Sequence, residues 1–139
     1  MLTPHRTVLL VIDMQRDFLE LSGYAAMAGV DVSRLRQTIA PVQALLAAAR
    51  AAGVRVIFTR EGHQPDLSDC PPDKLARSRA AGAEIGSIGP LGRLLVRGEW
   101  GHDLIDDIQP LGVEGGIFGD VSGSAQLISR FNATLQATA

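Results

Sequence analysis

An acid ends the first apolar run of this chain. Residues Val8–Ile12 are unbroken and β-favouring, and the run stops at Asp13. That composition predicts a strand buried on both faces. Ligands bind at the carboxyl ends of strands in open α/β sheets, so a carboxylate there is suited to proton transfer. The plainer alternative is an aspartate that caps a turn. Gln15, Asp17 and Phe18 follow directly. The polar side chains of this turn would obstruct a phosphate instead of cradling it, and neither a Gly-x-Gly-x-x-Gly nor a P-loop pattern occurs, which argues against nucleotide chemistry.

The remaining chemistry-bearing residues are few. Cys70 is the single cysteine, in Ser-Asp-Cys-Pro-Pro. The proline after it is incompatible with a nucleophile at a helix start, where backbone N–H groups would surround an oxyanion, and the acidic setting does nothing to favour a thiolate. Lys74 is the single lysine, and its plain reading is a solvated surface residue. Arg60 and Arg97 could orient a carboxylate or ureido oxygen, but an arginine stays protonated and cannot share a proton with Asp13 as a tunable lysine can. His5, His63 and His102 form no closely spaced pair, and with one cysteine no metal site is predicted. The alternative is that His63 and His102 converge with an aspartate from separate loops. No cofactor is expected.

Several elements must position these groups. After a Gly- and Ala-containing loop over residues 19–30, Val32, Leu35, Ile39, Val42, Leu45, Leu46 and Ala49 recur at helical spacing. Asp31 or Ser33 can cap that helix, and Pro41 should kink it or divide it in two, since proline removes a donor and clashes with the preceding turn. Gly53 ends it, and residues 54–59 supply a second strand. A strand, helix, strand order is a right-handed crossover, so the two strands should run parallel, with Asp13 and Arg60 at the same edge. Glu61 and His63 then fall near the candidate site. Residues 62–92 form a long connection with a helix expected around 73–80; residues 94–96 suggest a short strand and 102–108 a helical turn. Five glycines between 112 and 123 weaken any strand over 115–118, and a last helix is predicted through Leu127, Ile128, Phe131 and Leu135.

Composition bounds the class. A chain of 139 residues with 46% hydrophobic residues fits one folded domain. Thirteen basic and fifteen acidic residues, a net charge of -2, give no field that would select nucleic acid or an anionic membrane, which leaves small-molecule chemistry. One cysteine allows no internal disulfide, and no signal-type or bilayer-length apolar segment occurs, so a cytoplasmic protein is expected.

The wording Thr7-Val-Leu-Leu-Val-Ile-Asp-Met-Gln-Arg-Asp-Phe18 resembles the first strand of the isochorismatase-like cysteine hydrolases. The resemblance continues through Ile57-Phe-Thr-Arg-Glu-Gly-His63, Asp66-Leu-Ser-Asp-Cys-Pro71 and Leu94-Leu-Val-Arg-Gly-Glu-Trp-Gly-His102. Within the family it is most similar to members that hydrolyse biuret and ureidoacrylate. It implies a Rossmann-like three-layer αβα fold with a parallel sheet, an Asp/Lys/Cys triad in which Asp13 matches the aspartate, and a pocket for a small amide or ureido substrate. Gln15, Phe18, Arg60 and His63 are the candidates for binding that substrate.

The likeness then breaks. The family's lysine segment and its Gly-Val-x-x-x-x-Cys-Val turn are both absent, and Gly115-Gly-Ile-Phe-Gly119 resembles the family's C-terminal end. A single domain truncated by an internal block, with residues 1–111 and 112–139 joined near Leu111, is the expectation. Two function classes follow: a hydrolase of amide or ureido C–N bonds, impaired because the triad lysine and cysteine are missing, or a non-catalytic binding or oligomerisation subunit. Loss of later strands would leave a bare sheet edge and apolar surface, which predicts a homo-oligomer or a partner subunit.

Overall fold

The computed structural model describes residues 3–112 and 114–117, and the helix expected through Leu135 and most of segment 112–139 lie outside them. A 3₁₀ turn at Pro4–Arg6 leads into β1, Val8–Ile12, and β2 is Arg55–Thr59. The two pair in parallel with Val8 opposite Arg55 and Ile12 opposite Thr59, as the crossover rule requires. Asp13 and Arg60 therefore leave the sheet at the same edge. A third strand, β5, Gly115–Ile117, pairs in parallel with the far side of β2, giving the order β1-β2-β5. The fold is α/β with a parallel sheet.

The predicted break in the crossover helix is real. It divides into α3, Val32–Arg36, and α4, Ile39–Ala51. Pro41 sits in the first turn of α4, where its missing N–H costs nothing, whereas a continuous helix would drive its ring into the carbonyl of Gln37. Asp31 caps α3 through Ser33 N–H at 3.1 Å, and Gly53, at φ 67°, turns the chain out of α4. Leu46 and Ala49 of α4 meet Val11, Val56 and Phe58 in the core.

One burial expectation fails. β2, the middle strand, is closed on both faces, with Val56, Ile57, Phe58 and Thr59 all buried. β1 is an edge strand among the described residues, and Leu10 and Ile12 are 38% and 60% exposed. An apolar β-favouring run specifies a strand, but burial of its second face depends on what packs there.

The connections also differ from expectation. A single-turn helix, α1, Arg16–Leu19, precedes the 19–30 loop region, which contains a second, α2, Tyr24–Met27. The helix predicted near 73–80 is α5, Pro72–Ala80. Residues 94–96 are not a strand; the local pairing is a hairpin of β3, Ile88–Gly89, with β4, Gly92–Arg93, while Leu94, Leu95 and Val96 are buried. No helix forms over 102–108, although Ile108 N–H closes a single turn on the Ile105 carbonyl at 3.1 Å. That segment lies antiparallel beside residues 14–16, with Arg16 N–H donating to Asp103 at 2.9 Å and Ile105 N–H to Met14 at 2.9 Å, and it drives Leu104, Ile105 and Ile108 into the core. Burying three apolar side chains there outweighs the local turn preference. The glycines did not abolish a strand at 115, but it is only three residues long.

Candidate active site

Asp13 is the first residue beyond β1, and its backbone takes φ 54°. That left-handed conformation is tolerated by aspartate better than by most residues and marks a position where the chain is bent to aim a side chain. Parallel register puts Thr59 beside it. The Thr59 hydroxyl donates to Asp13 Oδ1 at 2.8 Å, and Asp13 N–H donates to the Thr59 carbonyl at 3.2 Å. Burial raises the proton affinity of the Asp13 carboxyl above the usual carboxylate value; the Thr59 hydrogen bond opposes this, the Glu61 carboxylate adds to it, and the Lys74 ammonium counters it.

Lys74 is thus no solvated surface lysine. Its side chain is 24% exposed, it comes from α5, and it ion-pairs with Glu61 Oε1. From Glu61 a line of polar side chains continues. His63, fully buried, has Nε2 3.6 Å from Glu61 Oε1 and Nδ1 3.4 Å from Asp69 Oδ1, and neither ring nitrogen makes a hydrogen bond. Asp69 is held in turn by Arg97 at 2.7 Å. A buried imidazole flanked by two carboxylates, each with its own cation, has donor capacity in reserve.

The other predicted site residues are placed differently. The side chain of Gln15 is fully buried and spent on main chain: Nε2 donates at 2.8 Å to the carbonyls of Glu61 and His102, and Oε1 accepts from Glu61 N–H at 2.6 Å. With its amide engaged this way, Gln15 holds the two strand-end loops together. Phe18 is half-buried, packs edge-on against Tyr24 at 6.1 Å and rests on the core. Arg60 ion-pairs with Asp103 and, with Arg16, Leu104, Gln109 and Pro110, lines a cleft of about 250 Å³ that does not include Asp13. Arg60 thus turns to the Asp103 side chain and this cleft, although it and Asp13 begin at the same sheet edge.

Cys70 is half-exposed, with its N–H bonded to the Leu67 carbonyl at 2.9 Å, and it precedes Pro71, the N-cap residue of α5. It is outside the helix start, as the proline implies. Among the described residues no group of three or more His, Cys, Asp or Glu side chains is arranged to hold a metal ion. His102 is nearly buried, and burial, reinforced by Arg60, lowers its pKa to about 4. Sequence reasoning missed Thr59 and Lys74. The first was recoverable from the parallel register, which sets Thr59 opposite Ile12; nothing local points α5 toward the strand ends.

Residues 7–117 match the model of the isochorismatase domain. The chain is 36% identical over 120 residues to a ureidoacrylate amidohydrolase, RutB, of Pantoea ananatis, an alignment covering 78% of this chain and 44% of that protein. Among solved structures it resembles an isochorismatase family protein from Desulfovibrio vulgaris, with TM-score 0.62 and 23% identity over 91% of this chain and 62% of that one. A cysteine hydrolase from Pseudomonas syringae pv. phaseolicola gives TM-score 0.60 and 22% identity, covering 93% and 55%. At these identities the structural likeness is one of fold. The chain spans less than half the length of the Pantoea amidohydrolase.

Proposed function

The chain belongs to the isochorismatase family, and from that premise we propose that it carries the aspartate-bearing part of a hydrolase site for small amide or ureido C–N bonds. Asp13 is the proton-transfer group. The observation that carries this reading is its setting: a carboxyl at a parallel strand end, on left-handed backbone, with proton affinity raised by burial and a hydroxyl and an ammonium group within its field. Similarity to a ureidoacrylate amidohydrolase supports the substrate class. Lys74 supplies a cation where the family's own lysine segment is absent. The nucleophile is the deficiency: attack on an amide needs one within about 3 to 3.5 Å of the carbonyl carbon, and Cys70, the only thiol, sits before a proline in acidic surroundings. This chain alone is accordingly impaired as a cysteine hydrolase.

Ammonia release from a panel of carbamoyl amides tests this, with wild type, Cys70→Ala and Asp13→Asn side by side. No cysteine-dependent turnover is expected. Turnover lost in both variants would show Cys70 recruited as nucleophile and end the impaired-site reading. Loss only in Asp13→Asn would point to attack by water activated at that acid.

The second reading, a binding or oligomerising subunit, draws on one observation: β1, an edge strand among the described residues, presents Leu10 and Ile12 to solvent. A sedimentation measurement showing a monomer at all concentrations would remove it.

A further inference from the structure

The cleft beside Arg60 is built from two guanidinium groups that converge from different elements. Arg16 opens α1 and Arg60 follows β2. Their side chains are only 9% and 19% exposed, whereas the carboxylates paired with them, Asp106 and Asp103, are 84% and 57% exposed. Each pair is thus lopsided: the cation is fixed inside and its counter-ion hangs in water. Arg16 is held further by the Trp100 ring, 4.3 Å from its guanidinium carbon, and by the Trp100 carbonyl at 3.4 Å. Each lining cation has one exposed carboxylate, Asp106 on Arg16 and Asp103 on Arg60, so the charges balance, with Leu104 and Pro110 as apolar wall.

We propose that this cleft binds a small carboxylate, whose place on Arg60 the Asp103 side chain takes in this structure. A buried guanidinium must keep an anionic partner, but an exposed carboxylate is a weak and replaceable one. The planar fork of arginine matches a carboxylate, and Arg16 needs little further ordering because its stack on Trp100 already fixes it. A volume of about 250 Å³, below the range of drug-sized ligand pockets, suits an acid of a few carbons, with its alkyl part against Leu104 and Pro110. The apolar wall favours a carboxylic acid over inorganic phosphate.

Trp100 is the only tryptophan, so its emission reports on the Arg16 stack. Titration of the full chain with propionate, and separately with inorganic phosphate at constant ionic strength, should show a saturable change for propionate with Kd on the order of millimolar. Asp103→Asn removes the internal competitor from the exposed side of the cleft and should tighten propionate about threefold or more, while Arg16→Gln should weaken it about tenfold. No saturation up to about 50 mM in Asp103→Asn, with its amide spectrum native-like, would overturn the proposal. Unchanged or weaker propionate binding in that variant, or a response to phosphate alone, would overturn it equally.

Discussion

Asp13 and Asp17 leave the same strand end, in one Asp-Met-Gln-Arg-Asp segment, and both have proton affinities raised chiefly by burial. Their partners set them apart. Asp17 is 1% exposed and accepts from main chain: Leu95 N–H at 2.9 Å on Oδ2 and Tyr24 N–H at 3.3 Å on Oδ1. Gly101 closes over it, and a Cβ there would stand 2.6 Å from Oδ1. Asp13 is half-buried and faces mainly side chains, namely the Thr59 hydroxyl and the charges of Glu61 and Lys74, with the Glu61 main chain as a lesser donor. A carboxylate fixed by backbone donors is a staple between segments; one surrounded by groups that can themselves rotate or exchange protons can change its charge. Sequence position alone does not separate the two.

The largest expected effect tests the staple. Asp17→Ala strands two N–H groups in the interior and should destabilise the fold by about 3 kcal/mol, measured as a lower urea midpoint. A loss below about 1 kcal/mol would make Asp17 no more structural than Asp13.

A smaller effect concerns His102, whose carbonyl is clamped by Gln15. Its folded pKa of about 4 lies below the 6.5 of an ordinary histidine, so the unfolded chain binds the extra proton between those values. The contribution of a neutral His102 is complete above pH 6.5 and is lost as pH falls toward about 4. NMR titration of the imidazole checks this, and a midpoint near 6.5 would show the clamp to be open to water. Asp13→Asn should change least. Asparagine tolerates the left-handed backbone and can keep the Thr59 hydrogen bond, and it removes a carboxylate that burial disfavours. Stability by the same urea measurement should stay within about 1 kcal/mol of wild type, or rise; a loss as large as that of Asp17→Ala would make Asp13 a second staple.

The features legible in the order of residues are those governed by neighbours along the chain. The β-favouring runs specify β1 and β2, Pro41 divides the crossover helix, Gly53 ends it, and the handedness of the crossover places Asp13 and Arg60 at one edge. The features that emerge only on folding depend on partners far away in the chain. Gln15 and Arg16 become clamps because residues 100–106 return beside them, and Lys74 reaches Glu61 because α5 folds over the strand ends. The second face of β1, with Leu10 and Ile12, stays exposed because no described element covers it there. Periodicity and breaker residues encode conformation within a turn or two; which polar groups meet across 46 to 90 residues is settled only when apolar packing of segments such as 104–108 fixes the loops between them.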